Sequence, residues 1–332
     1  MRRRALLAAL LLTAPAQASV LDIYGFNPRG TAMGNAQAAV ADDYTAAFYN
    51  PAGLTRRKKV GVGAGFVATF PRLTLDRDFA GPPEAYVDHE LPPAFSGFNL
   101  GMLFPLGGLI DNRVAVALTA YLPTVNLLRG EGVDPQVPQF YRYQNLPDKF
   151  VVLAAGAFEI TPWLSVGGGV QVLASLDGAV DVHLELANRR VRSQAVEVEI
   201  SPAASAVAGV LVRPLEGLDV GFSYRQAIQL DFALPTSIVI DQLVDLDIDI
   251  RGTVLYSPHY LNLGAAYDIA PANLLVSGEL GYAFWSLAPD PSPSFTIDIG
   301  GELAEGLGLG ERLDVGNGAP VELNFRDVPV VR

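Results

Sequence analysis

The chain has 332 residues, no cysteine, and 35 acidic against 23 basic residues, for a net charge of −12 at neutral pH. Without cysteine there is no disulfide, no thiolate nucleophile and no zinc–thiolate centre, and a chain this acidic lacks the electrostatic footprint of a nucleic-acid binder. Half of its residues are hydrophobic and the mean hydropathy is +0.28, yet beyond the first 18 residues no apolar run has the length of a membrane-spanning helix.

Residues 1–18 carry Arg2, Arg3 and Arg4, then the apolar run 5–12, then Ala16-Gln17-Ala18, the small-x-small form of a signal-peptidase site. The apolar run is shorter than the roughly 20 residues a spanning helix needs, so this segment reads as a cleaved signal peptide and the protein as exported. Cleavage before Ser19 removes three arginines and leaves 20 basic against 35 acidic residues, a net charge of −15.

Residues 19–58 read as a small helical plug in front of the strands. Gly30 and Gly34, with Ala32, Ala36, Ala38 and Ala39, permit a short helix packed tightly against something else, and Asp42 and Asp43 offer a cap for a second one. That second helix is predicted to stop at Asn50-Pro51-Ala52-Gly53, because proline cannot continue the hydrogen-bond ladder and glycine tolerates left-handed geometry.

From residue 59 to 332 the pattern is one of alternating strands. Over 218–226, Leu218, Val220, Phe222 and Tyr224 share one face, and Asp219, Gly221, Ser223 and Arg225 the other. Residues 180–186, 196–201 and 244–251 alternate in the same way, and further strands read at 60–70, 94–104, 113–121, 149–160, 163–174, 260–269, 274–285 and 295–300. Gly, Pro, Asn and Asp turns between them fit an antiparallel meander. Connections are short at 159–163, 213–218 and 268–273 and long at 72–93 and 129–148, the asymmetry of outer-membrane barrels. Tyr121, Trp163, Tyr267, Tyr282, Phe284 and Trp285 sit near strand ends, where an interfacial girdle places aromatics. A soluble β-sandwich also alternates, but the export segment, the plug and glycine-rich polar faces such as 60–70 and 163–173 favour an all-β, transmembrane antiparallel β-barrel.

Candidate chemistry is sparse. His89, His183 and His259 are far apart and none has metal-type spacing, and no Gly-x-Ser-x-Gly elbow or phosphate loop occurs. The sequence therefore predicts no enzyme and no cofactor, with an outer-membrane lipid hydrolase as the enzymatic alternative. Asp245, Asp247 and Asp249, with Glu197 and Glu199, are weak calcium candidates that read more simply as a solvated strand face. Pro123, inside a strand-like segment, is a candidate kink, or a residue where a strand leaves the membrane.

The glycine-rich opening Gly25-Phe26 and Pro28-Arg29-Gly30, the step Ala41-Asp42-Asp43 and the turn Asn50-Pro51-Ala52 together resemble the N-terminal hatch of the FadL/TodX family of outer-membrane transport proteins for hydrophobic compounds. The resemblance implies a plugged barrel in the outer membrane, set among lipids and lipopolysaccharide after delivery by barrel-assembly machinery. It further implies passive uptake of long-chain fatty acids or related apolar compounds as the hatch shifts, Asn50, Pro51 and Ala52 forming the hatch turn and Pro123 suiting a lateral opening; a structural or adhesive barrel is the alternative. Members of the family have fourteen strands, whereas about eleven are legible here. The last residues, 320–332, resemble a strand beginning, and the chain ends Val330-Val331-Arg332 without a terminal aromatic. A C-terminal truncation or a smaller barrel is expected on that ground, since an open sheet edge in lipid leaves backbone groups unpaired.

Overall fold

The computed structural model describes residues 25–70, 95–108, 112–124, 150–185, 190–240, 243–289, 294–301, 306, 312–315 and 325–332. The export segment, His89 and the long connections 72–93 and 129–148 lie outside these residues. Fourteen strands among them belong to one sheet. Strands β1 (Gly61–Thr69), β2 (Phe95–Pro105), β3 (Val114–Pro123), β4 (Val151–Thr161), β5 (Leu164–Glu185), β6 (Arg190–Leu215) and β7 (Leu218–Arg225) follow one another as an antiparallel meander. β10 (Tyr260–Ile269) then pairs with β7, β11 (Leu274–Ala283) with β10 and β14 (Val328–Val331) with β11.

Four strands lie off this wall. β8 (Ile228–Ile240) and β9 (Val244–Ser257) form a hairpin inserted between β7 and β10, and β12 (Ser294–Gly300) and β13 (Arg312–Val315), inserted between β11 and β14, extend it from the edge of β9. The count of about eleven strands and the simple meander are thus both corrected, because alternation reports that a segment is a strand and not which edge it joins. β5 and β6 outrun their wall partners: β4 leaves β5 at Leu173 and β7 leaves β6 at Val207. The projecting part of β5 would present a bare edge, and β8 covers it in parallel along Val180–Leu184. Of the segments 180–186 and 196–201, the described residues 180–185 and 196–201 lie in this projection, and 244–251 and 295–300 fall in β9 and β12 of the insertion.

The two faces of the wall settle what the alternation is for. Val62, Phe66, Phe98, Leu100, Met102, Phe104, Leu118, Phe158, Val170, Phe222, Leu263 and Leu280 are exposed on the outside, whereas Asn99, Thr119, Ser165, Gln171, Ser205, Asp219, Ser223 and Glu279 are buried inside. A soluble sandwich would bury the first set and expose the second; a wall standing in hydrocarbon does the reverse. No helix among the described residues is long and apolar enough to cross a membrane. Trp163, Tyr267 and Tyr282 are exposed near strand ends as a girdle requires, but Tyr121 is wholly buried and turns inward, its ring 6.3 Å from that of Phe26. Pro123 is the last residue of β3, opposite Gly97, and the β2–β3 register is unbroken up to it. It ends the strand rather than kinking it, a position where the missing N–H removes no interior rung.

Inside the wall lie residues 25–56, with the short helices α1 (Pro28–Ala32) and α2 (Ala46–Tyr49) followed by a 3-10 helix, Pro51–Arg56. Phe26, Phe48, Tyr49 and Leu54 of this plug join Tyr121, Val151, Leu153 and Leu173 of the wall, and Ile228, Leu230 and Leu255 at the base of the inserted hairpin, in one buried apolar cluster.

Candidate functional site

The plug holds its shape through side chains rather than helix length. Asn27 caps α1, its Oδ1 accepting from the Gly30 amide at 2.7 Å. A Cβ at Gly30 would collide with the Tyr49 ring and hydroxyl. That hydroxyl accepts from the Phe26 amide and donates to Asn35 Oδ1, both at 2.9 Å, while Arg29 pairs with Asp42 at 2.6 Å. Gly34 differs from Gly30: the space around it is open and its φ is +58°, so the turn, not packing, demands glycine there. Asp43 Oδ1 accepts from the Thr45 amide at 2.8 Å and the Thr45 hydroxyl at 2.5 Å, opening the turn into α2 two residues before that helix's N-cap. α2 stops at Asn50, but no left-handed glycine turn follows: Pro51 starts the 3-10 helix at once. Gly53 is needed instead for close approach, since a Cβ there would overlap the Ala41 carbonyl oxygen.

Plug meets wall at three cross-strand glycine pairs. Gly63 of β1 faces Gly101 of β2, and the Tyr44 ring fills the slot above them. Gly167 of β5 faces Gly209 of β6, and Asn50 and Pro51 sit on that pair. Gly221 of β7 faces Gly264 of β10 beneath the Ala38–Ala39 backbone. A side chain at any of these six positions would meet plug atoms at or inside normal contact.

Polar clamps close around these contacts. Tyr44 donates to Asn99 Oδ1 at 2.8 Å, and Asn99 Nδ2 donates to the Phe26 carbonyl at 2.8 Å. Burial, and secondly the charge of Asp43, push the Tyr44 hydroxyl up to about 12, so it stays a donor. Asn50, 1% exposed, donates from Nδ2 to the carbonyls of Ala38 at 2.6 Å and Val210 at 3.1 Å, and its Oδ1 accepts from the Ala52 amide at 3.2 Å. Thr55 donates to Ser165 at 2.9 Å, Ser277 to the Ala36 carbonyl at 2.8 Å, and the Ala38 amide to Glu279 Oε2 at 2.8 Å. Asp219 gathers Arg56 of the plug and, at 3.3 Å, Arg213 of the wall, and Arg332 pairs with Glu279 at 2.7 Å. Arg225 lies over the Phe48 ring, 4.4 Å from its centroid. Asn35, Phe48, Tyr49, Arg225, Asn262, Glu279 and Arg332 line a polar cavity between plug and wall with room for no more than a water-sized group.

Of the residues singled out from the sequence, Gly30, Asp42, Asp43, Asn50, Pro51 and Ala52 gather in the plug, whereas Pro123 stands at a wall rim and Asp245, Asp247 and Asp249 on β9, away from the plug. Asp249 pairs with Arg251 at 2.7 Å, and among the described residues no three carboxylates or imidazoles converge on a metal-sized point. His259 Nδ1 lies 2.8 Å from the Tyr224 hydroxyl and accepts from the Ala227 amide, a structural role at the root of the insertion. Asn99, Ser165, Asp219 and Glu279 were not singled out. Asp219 and Glu279 carried a usable signal: a lone acid on the inner face of a barrel strand needs a partner.

An apolar outer face, a polar inner face and a helical plug seated on inner-face glycines define a plugged, membrane-spanning antiparallel β-barrel. No protein-family model matches the sequence, and no curated protein matches it. Solved structures do match. The Pseudomonas putida toluene transporter TodX superposes with a TM-score of 0.50 at 13% identity, over 93% of this chain and 78% of its own. The CymD monoaromatic hydrocarbon channel covers the same shares at 12% identity and a TM-score of 0.49, and a FadL homologue of Pseudomonas aeruginosa matches 80% of this chain and 73% of its own at 14% and 0.41. The TodX superposition establishes a shared fold.

Proposed function

We propose that this protein is an outer-membrane channel for the passive uptake of long-chain fatty acids or other hydrophobic compounds, with residues 19–58 as its hatch and Asn50-Pro51-Ala52 as the hatch turn. One observation carries the reading: the plug touches every wall strand from β1 through β7 and then β10 and β11, through contacts that are largely hydrogen bonds and glycine saddles. A plug seated in this way lets no apolar molecule past until it shifts, and it is held by bonds that water can replace. The signal-peptide pattern of residues 1–18 supports export to the outer membrane, where lipids, lipopolysaccharide and the assembly machinery are the partners. The fold shared with a toluene transporter supports an apolar cargo. The reading assigns no catalytic residue, metal or cofactor.

The chain has no cysteine, so a lock is easily built. A Cβ at Gly264 would stand 3.6 Å from the Ala39 Cβ, within the span of a disulfide. Proteoliposomes bearing Ala39→Cys with Gly264→Cys are expected to lose uptake of toluene and oleate on oxidation and to regain it on reduction. Uptake indifferent to the lock would leave a static plug, and uptake by the unmodified protein no faster than by empty vesicles would end the transport reading.

A further inference from the structure

Gln171 of β5 and Ser205 of β6 stand directly opposite each other on the inner face, 2% and 3% exposed. Side chains so paired have Cβ atoms about 5 Å apart, yet Gln171 Oε1 and Ser205 Oγ both lack a protein hydrogen-bond partner. Their neighbours in the same layer are Leu153 and Thr119; Thr119 satisfies itself on the Leu100 carbonyl, and Leu153 is fully buried. Leu173 and Ala203 stand above them, in the apolar cluster that joins Phe48 of the plug to the base of the inserted hairpin. Two polar groups left unpaired in apolar surroundings destabilise a fold, and their retention points to a ligand that supplies the missing partners.

Position and chemistry define that ligand. The pair lies four residues along each strand from Gly167 and Gly209, about 13 Å toward the long-loop end from the Asn50 saddle. A molecule descending from that end reaches the pair before the hatch turn once the Leu173–Ala203 layer above it parts. Gln171 Oε1 accepts only, so the ligand must donate; Ser205 Oγ both donates and accepts. A carboxylate can accept a hydrogen bond from Gln171 Nε2 but has no proton for the unpaired Oε1, and a pure hydrocarbon has nothing for either residue. We infer that Gln171 and Ser205 form the polar half of a binding site for a neutral hydroxyl group, alcohol or phenol, on an otherwise apolar compound. The inference rests on the transport reading and narrows its cargo.

The test uses the full chain purified in detergent and titrated with p-cresol and with p-xylene, which differ by a hydroxyl in place of a methyl, each measured against empty micelles. The wild-type protein should bind p-cresol about tenfold more tightly, as one or two neutral hydrogen bonds give. Gln171→Leu and Ser205→Ala should each bring that preference close to one, leave p-xylene affinity unchanged, and raise the unfolding temperature by removing an unpaired buried group. Equal wild-type affinities, or a preference that survives both substitutions, overturn the inference while leaving the transport reading standing. Binding of neither compound overturns the inference alone, since the transport reading stands or falls by the uptake of toluene and oleate. Should Gln171→Leu fail to fold, Ser205→Ala decides alone.

Discussion

Asn50→Asp is the substitution that isolates the hatch turn, because it changes the chemistry of one buried side chain and almost nothing of its shape. The aspartate keeps an oxygen for the Ala52 amide but replaces the amide nitrogen with a second oxygen, facing the carbonyls of Ala38 and Val210 at 2.6 and 3.1 Å. Two hydrogen bonds at about 1 kcal/mol each are lost, one inside the plug to Ala38 and one to Val210 of β6, and repulsion with desolvation of the carboxylate adds to that sum, so the folded, docked plug should weaken by at least about 2 kcal/mol. That is roughly a 30-fold increase in the open population of the plug. Hydrogen exchange read by mass spectrometry should show amides of residues 36–56 exchanging faster by about that factor while β1–β4 peptides keep their protection. Acidification supplies an internal check: burial raises the carboxyl's pKa, and once protonated its O–H donates again, so part of the protection should return. Unchanged exchange over 36–56, or an equal rise throughout the wall, would refute the claim that Asn50 fastens plug to wall.

Two further outcomes follow from the same interface. Gly221→Val would drive a side chain into the Ala38 carbonyl; overpacking of this kind costs about 1–3 kcal/mol, and it should make the plug protease-sensitive with the β circular-dichroism signal intact. Gly168→Ala, whose Cβ meets nothing nearer than 3.6 Å, is the silent control. Tyr44 ionises at about 12 in the fold and near 10 when unfolded, so its contribution to stability is whole below about pH 10 and falls as pH rises through about 12. Unfolding free energy should decline less steeply across that window in Tyr44→Phe, whose ring still fits the Gly63–Gly101 slot; an identical slope would show that Tyr44 is not the group responsible.

How far the sequence could be read depends on what each residue reports. Alternation over 218–225 located β7 and its two faces, because period two is a local property. The same property made β9 look like a wall strand, although its partners are β8 and β12, since pairing is a long-range choice that alternation does not encode. Asn50-Pro51-Ala52 was legible as a helix stop because proline lacks a donor, but the same residues start a 3-10 helix, Asn50 capping it through the Ala52 amide and Pro51 standing first, a local start signal that the stop reading passed over. The glycine runs 61–65 and 167–169 announced close approach without naming what approaches. The visitors, Tyr44 and Pro51, are identified only by cross-strand register, which sets Gly63 against Gly101 and Gly167 against Gly209.

The distribution of these contacts around the plug favours one direction of movement. Toward β3 the plug presents Phe26 to Tyr121, and Leu54 joins Leu103, Val151 and Leu153 in the same buried apolar cluster; parting those surfaces in water costs about 25 cal/mol for each Å² exposed. Toward β6, β7, β10 and β11 its contacts are mostly polar: the Asn50 amide to the Val210 carbonyl, Arg56 to Asp219, the Ala38 carbonyl against Gly221, the Ala38 amide to Glu279 and the Ala36 carbonyl to Ser277, with Phe48 beneath Arg225. Water replaces such bonds at a net loss near 1 kcal/mol apiece. A plug that stays fixed along its aromatic side and lifts along its polar side therefore follows the cheaper path, opening a gap beside β7, β10 and β11. In the Asn50→Asp protein, exchange should accordingly rise most at residues 36–41, which lie against those strands, and least at Phe26, which packs on Tyr121.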